Sequence, residues 1–245
     1  MNQPTSTIKP IAYIRTDFHE RFGIPRQAGL IGELTAAIVF EKEFRDPNAV
    51  RGIDGYSHLW LIWSFSETQI DMTAAPVKWS SLVAPPRLGG KTKVGVFATR
   101  SPYRPNSLGL SSVRLLSVDL KCKDAPVLLV SGADILDGTA IFDIKPYLPY
   151  TDCHPDAVNG FADIRKDIIP VIFPPDLLER IPEEKRAAVL KVLGQDPRGA
   201  YEKQPGFVYG LNFAEYDIRF IIENDILKVF DVCPNFEKSG FSKVK

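Results

Sequence analysis

The apolar positions of this chain fall into short blocks and not into helical stripes. Residues 8–16 (Ile-Lys-Pro-Ile-Ala-Tyr-Ile-Arg-Thr) alternate loosely and predict a strand, as do residues 32–41. After the second block, Asp46-Pro47-Asn48 predicts a short helical turn that ends at Gly52. Residues 57–66 form an aromatic-rich, nearly continuous apolar run, which predicts a strand buried on both faces. Residues 93–99, 109–120, 126–133 and 139–144 predict further strands, with Gly, Asp-Gly and Lys-Asp marking the turns. Short strands with so little helix point to an antiparallel or mixed barrel or sandwich, not to a βαβ repeat. No internal repeat is apparent.

The texture changes after Asp143. Pro146, Pro149, Pro155, Pro170, Pro174 and Pro175 punctuate the next stretch. Proline fixes φ and removes an amide donor, so this segment predicts a linker or a wrapping strap. Asp176 then caps an expected helix reaching about Leu193 and stopped by Gly194. Residues 207–213, 216–223 and 226–233 predict three strands, the last two joined by Glu-Asn-Asp. The expected organisation is a mainly β domain over residues 1–150, a Pro-rich linker over 151–175 and a small α+β domain over 176–245. A chain of 245 residues and 27.3 kDa is long enough for one good core and a small second one.

Composition narrows the class. A hydrophobic share of 44% and a charged share of 24% are those of a soluble globular protein. Met1 to Pro10 has no apolar core of a secretory signal, and runs such as Leu59-Trp60-Leu61-Ile62-Trp63 are too short to span a bilayer. Cys122, Cys153 and Cys233 form neither a zinc pattern nor a disulfide framework, so three reduced thiols in a cytoplasmic protein are expected. His19, His58 and His154 are isolated, so no metal site is expected. Ser57-His58 reads as a polar pair satisfied beside a buried strand.

The 30 basic and 30 acidic residues cancel, but unevenly. From Met72 to Val118 there is no Asp or Glu, while Lys78, Arg87, Lys91, Lys93, Arg100, Arg104 and Arg114 lie in that stretch. A balanced total argues against a generic nucleic-acid glue, and the acid-free run predicts a local basic face. No dinucleotide glycine loop, phosphate loop or Gly-x-Ser-x-Gly elbow occurs. The chemistry present is different. Gly95-Val-Phe-Ala-Thr-Arg-Ser-Pro-Tyr-Arg-Pro-Asn-Ser-Leu-Gly109 runs a strand straight into Arg100 and Arg104, braced by Pro102 and Pro105. Pro85-Pro86-Arg87-Leu88-Gly89-Gly90 and Pro25-Arg26-Gln27 repeat the device. Guanidinium forks on stiff turns suit carboxylates and phosphates, because each fork donates two parallel hydrogen bonds.

Those three clusters resemble the TsaA-like family in order and wording, together with Val50-Arg51-Gly52, Ser57-His58-Leu59-Trp60, Asp137-Gly138-Thr139 and Asp143-Ile-Lys-Pro-Tyr147. Gln195-Asp196-Pro197-Arg198 and Tyr201 extend the likeness, which covers roughly residues 8 to 235. The resemblance is strongest to the TrmO-type members, which methylate N6 of N6-threonylcarbamoyladenosine, the base beside the tRNA anticodon, using S-adenosylmethionine. It implies a single-sheeted β-barrel domain with a small C-terminal α+β domain, a homodimer, and a cofactor site near the subunit interface.

Carried over by position, the resemblance implies cofactor contacts at Pro25, Arg26, Gln27, Arg100, Leu110, Asp134, Ile135 and Leu136. Ser66 and Glu67 stand where relatives have His-Gln, and Glu67 there suits the ribose hydroxyls or the methionine ammonium. Ser107 and Gly199 replace prolines common in the family. N6 of the substrate is a poor nucleophile because carbamoylation delocalises its lone pair, so a general base is expected, with Asp137 or Asp143 as candidates. Arg104, Arg87 and Lys91 are candidates for the threonyl carboxylate or the anticodon-loop phosphates. Tyr103 or Tyr147 is the expected platform for an extruded base, and Arg198 and Tyr201 extend the RNA footprint. The alternatives are a non-catalytic RNA-binding module, a methyltransferase of another acceptor, and a structural or interaction protein.

Overall fold

The computed structural model describes residues 8–65, 79–163, 168–198 and 206–235. Six strands close into a barrel: β1 (Ala12–Arg15), β2 (Thr35–Phe40), β3 (His58–Ser64), β6 (Leu108–Asp119), β7 (Val127–Ser131) and β8 (Ala140–Pro146). Their order around the barrel is β1-β2-β7-β6-β3-β8, with every neighbouring pair antiparallel. Closure leaves no unpaired edge to pair with another chain. Ala12, Ile14, Ile38, Leu59, Leu61, Val113, Leu128, Val130 and Ile141 point inward and fill the lumen.

β3 is half-buried, not buried on both faces. Leu59, Leu61 and Trp63 point in, and Trp60 and Ile62 alternate outward. The run reads as continuous because its outer face also carries apolar side chains, partly exposed, with Tyr147 against the Trp60 ring at 5.4 Å. The strand expected over 93–99 also differs. β4 (Leu82–Val83) and β5 (Val94–Gly95) form a separate two-stranded ribbon, and Val96–Ala98 turns as a single 3₁₀ coil. The helical turn at Pro47–Val50 is as expected, with the Asp46 carboxylate accepting from the Asn48 amide and Gly52 following at φ 82°.

The C-terminal sheet contains β9 (Val171–Ile172), β10 (Tyr209–Phe213), β11 (Tyr216–Glu223) and β12 (Ile226–Pro234), in the order β10-β11-β12-β9. A short α1 (Pro149–Asp152) follows the barrel. The helix expected over 176–193 is two helices, α2 (Pro175–Leu178) and α3 (Glu183–Gly194). Pro182 divides them, since its ring and missing amide suit a helix start and not an interior.

The boundary expected at residue 150 does not separate the two cores. Phe18, Ile31 and Leu34, from the long segment between β1 and β2, are buried with Val189, Leu193, Leu211, Phe213 and Phe220 of the C-terminal sheet and α3. Phe18 meets Phe213 edge-on at 5.6 Å, and the Phe22 ring stacks near Tyr209 and Phe220. Lys185 pairs with Asp17 at 2.5 Å and Lys191 with Glu33 at 2.5 Å. The Ala214 amide donates to the Asp17 carbonyl, and Asn212 Nδ2 donates to Glu20. β9 likewise adds part of the expected linker to the C-terminal sheet, parallel to β12. Truncating Phe18 to Ala therefore opens a cavity in the C-terminal core, although the residue belongs to the barrel domain by sequence. The expected cost is about 3–5 kcal/mol, read as a lowered urea midpoint; a loss within ~0.5 kcal/mol would show the segment is not part of that core.

Candidate functional site

Residues 17–34 leave β1, pack on the C-terminal core and return to β2. Their crest is Pro25-Arg26-Gln27, with Pro25 buried and Arg26 exposed. Two backbone contacts seat the crest on the barrel: the Gly29 amide donates to the Gly132 carbonyl at 2.8 Å, and the Gly132 amide donates to the Leu34 carbonyl at 2.8 Å. Gly132 has φ 79°, and a Cβ there would sit 3.2 Å from the Gly29 backbone, so glycine is required by both conformation and space.

Opposite the crest lies the arginine loop between β5 and β6. It is tied to itself. Thr99 Oγ1 donates to the Val96 carbonyl at 2.7 Å and accepts from the Ser101 amide, and Arg104 Nη1 donates to the Thr99 carbonyl at 3.2 Å. The Phe65 amide donates to the Ser107 carbonyl, fixing the loop to the end of β3. Arg100 Nη1 donates to Gln27 Oε1, which joins the two loops directly.

Between them is a cavity of about 630 Å³ at the barrel rim. Pro25, Arg26, Gln27, Arg100, Arg104, Leu110, Asp134 and Leu136 all line it. These residues come from separate segments, and the fold brings them together. Trp60, Trp63, Phe65 and Leu108 supply apolar wall, and Arg21 adds a further cation. Trp63 reaches the cavity because its cross-strand partner is Gly109, where a Cβ would fall 2.2 Å from the indole. None of Arg26, Arg100 and Arg104 has a carboxylate within ion-pair distance among the described residues. The same holds for Arg87, Lys91 and Lys93.

Asp134 is the one carboxylate lining this cavity among the described residues. Ser111 Oγ donates to Asp134 Oδ1 at 2.6 Å, and Trp63 Nε1 donates to Ser111 Oγ at 3.0 Å. Burial pushes the Asp134 carboxyl above the ordinary carboxylate value, and the bonds from Ser111 and from backbone amides, including that of Ala28, work against that rise.

The other expected residues are placed differently. The Ile135 side chain is fully buried in the barrel, and its carbonyl accepts from Thr16 Oγ1. Asp137 accepts from the Thr16 amide at 3.0 Å and faces Arg15 at 3.6 Å and His19 at 3.7 Å. Asp143 accepts from the Ile144 amide and pairs with Lys145 at 3.0 Å. Neither Asp137 nor Asp143 lines the cavity. Tyr147 leans on Trp60 and His58, behind the cavity wall. Arg198 is buried and grips Asp196 with two bonds, at 2.8 and 3.0 Å, so it presents no fork at the surface. Lys91 is exposed and lines neither this cavity nor the next. Ser66, Glu67 and Tyr201 lie outside the described residues.

A second cavity, about 1540 Å³, shares Arg26, Gln27, Thr99, Arg100 and Pro102 with the first. Arg87 and Tyr103 line it, as do Trp79 and Phe97, whose rings lie 5.8 Å apart. Sequence reading missed Trp79 and Phe97. Their signal was an aromatic on either side of the β4–β5 ribbon, within the acid-free stretch. Substituting Gly109 by Ala drives a Cβ into the Trp63 indole. The expected result is a loss of about 1–3 kcal/mol in stability and weaker ligand binding in the first cavity. A variant with unchanged melting temperature would show that the indole moves freely.

Among the described residues no cluster of three or more metal-ligating side chains occurs, and no helix is long and apolar enough to cross a membrane. The sequence matches the tRNA-methyltransferase O N-terminal domain over residues 13–153 and the TrmO C-terminal domain over residues 167–235. It is 34% identical over 240 residues to the tRNA (adenine(37)-N6)-methyltransferase of Escherichia coli, covering 91% of this chain and 96% of that one. It is 37% identical over 237 residues, 93% of this chain and 98% of the other, to a Pseudomonas aeruginosa protein named as an S-adenosylmethionine-dependent methyltransferase. The crystal structure of TrmO from P. aeruginosa superposes with a TM-score of 0.75 at 32% identity, covering 95% of this chain and 99% of that chain. With both domains matched in order around a closed barrel, the chain belongs to the TrmO family of tRNA methyltransferases.

Proposed function

We propose that this protein transfers the methyl group of S-adenosylmethionine to N6 of N6-threonylcarbamoyladenosine beside the tRNA anticodon. The observation that carries the reading is the first cavity, where Pro25-Arg26-Gln27, Arg100, Leu110, Asp134 and Leu136 converge at the barrel rim. The residues present fit the cofactor. A volume of about 630 Å³ suits a small-molecule site, since such pockets run roughly 300–1,000 Å³. The arginines match the methionine carboxylate. The aromatic and leucine walls match the adenine.

When bound, S-adenosylmethionine supplies a methyl group on a cationic sulfur, which needs no further activation. The protein's own task is alignment and exclusion of water. The loops that carry Arg100 and Gln27 hold each other, so the cavity wall is set before the acceptor arrives. The acceptor base enters from the second cavity, which opens beside the same arginines. Trp79, Phe97 and Tyr103 give it stacking faces, and Arg87 gives a fork for phosphate or the threonyl carboxylate. The protein works in the cytoplasm, with its tRNA. It works as a homodimer seated on the outer barrel face beside the cavity, where Leu108 and Leu110 are exposed.

Labelled cofactor and total tRNA, with and without threonylcarbamoylation, test the reaction. Transfer to the modified pool alone is the expected result. Transfer to both pools would point to a different acceptor, and neither transfer nor cofactor binding would leave only an RNA-binding module. Arg87→Ala tests the acceptor side. Its affinity for modified tRNA should fall about tenfold, with a salt dependence shallower by about one ion and an unchanged cofactor affinity. An equal loss of both affinities would show that Arg87 merely holds the 160–163 turn, where it bonds the Ala162 carbonyl.

A further inference from the structure

Methylation of a carbamoylated N6 releases one proton, and the reaction needs a group to take it. We infer that Asp134 is that group, held ready by a hydrogen-bond chain from Trp63 through Ser111. The inference rests on the methyl-transfer reading above and assigns its missing base.

The directions of the chain are fixed by chemistry. An indole N–H only donates, so Ser111 Oγ accepts from Trp63 and its own proton is committed to Asp134 Oδ1. Asp134 is thereby kept as an acceptor. Ser111 is itself buried inside the barrel, and this double use satisfies it. The positions expected from sequence do not compete. Asp137 is engaged with Thr16, Arg15 and His19, and Asp143 with Ile144 and Lys145, both away from the cavity.

The step balances as follows. The N6 lone pair forms the bond to the methyl carbon, and the carbon–sulfur pair returns to sulfur as a neutral thioether. The N6–H electron pair stays on nitrogen, and the proton passes to the Asp134 carboxylate. The groups that act on Asp134 are Ser111 from β6, the Ala28 amide just past the crest, and Arg100; Arg21, Arg26 and Arg104 line the same cavity. Burial is the larger effect and raises the carboxyl; the Ser111 bond, the backbone amides and, last, Arg100 oppose the rise. A raised basicity is the direction a general base requires.

Asp134→Asn keeps the shape and removes the basicity. In single turnover on threonylcarbamoylated tRNA its rate should fall about a hundredfold or more, while the calorimetric affinity for S-adenosylhomocysteine stays within about threefold. A rate loss matched by an equal loss of affinity would make Asp134 a cofactor ligand only, and an undiminished rate would also overturn the inference. Ser111→Ala gives a second arm. Losing the donor lifts the Asp134 carboxyl further, so the acid limb of the single-turnover rate should move to higher pH. An acid limb that stays in place overturns the inference. The wild-type control separates the two levels: no transfer by wild type defeats the methyl-transfer reading itself, whereas normal transfer by wild type and by Asp134→Asn defeats only the base.

Discussion

The segment between β1 and β2 is bound by two cores at once, and the site depends on that double attachment. A loop tipped with Pro25-Arg26-Gln27 and carrying exposed charge has little reason to stay still. Its flanks supply the reason. Phe18, Ile31 and Leu34 are buried among Leu193, Phe213 and Phe220, while Gly29 and Gly132 exchange close backbone contact with the barrel. The entropy of ordering the crest is offset by apolar burial on either side of it. The C-terminal sheet and α3 are therefore part of the cavity's support, even though none of their residues lines it.

Much of the barrel was legible because its strands fall as short apolar blocks bounded by turn residues, loosely alternating in β1 and β2 and a continuous run in β7. The failures have physical causes. The 93–99 block has the apolar content of a strand, but Val96–Ala98 coils because only Val96 has a core to enter, and Phe97 and Ala98 face the second cavity. Pro182 was visible, yet the surrounding residues favour helix so strongly that the break is plain only when the two helices are seen packed. The shared core could not be read at all. Phe18 and Phe213 are far apart in sequence, and apolar periodicity carries no information about which distant block a loop phenylalanine will meet.

The site divides in the same way. Stiff Pro-Arg turns mark themselves by composition, and Arg100, Arg104 and Arg26 do gather at one cavity. Asp134, Asp137 and Asp143 lie within one short stretch, and spacing alone cannot rank them. The closure of the barrel does. Asp134 lies three residues past the end of β7, so its carboxylate meets Ser111 and lines the cavity that the arginines also line. Asp137 falls past the turn and staples β1, and Asp143 lies within β8, beside Lys145. Arg198 shows the converse case. A fork that looks suited to RNA in sequence is buried against Asp196, and a buried guanidinium with its carboxylate satisfied bidentately has nothing left to offer a phosphate.

The rim's cations carry a cost that explains their arrangement. Arg26, Arg100 and Arg104 around one cavity repel each other, and no carboxylate pairs with them among the described residues. Such a cluster persists only if the loops beneath it are held by something other than charge. Here the hold is backbone and apolar: the Thr99 knot, the Ser107–Phe65 bond, the Gly29–Gly132 contact and the Phe18 core. An anionic ligand then meets a potential already in place, with no reorganisation left to oppose binding. A single carboxylate lining the same cavity is the exception among the described residues, and the bond from Ser111 keeps it an acceptor.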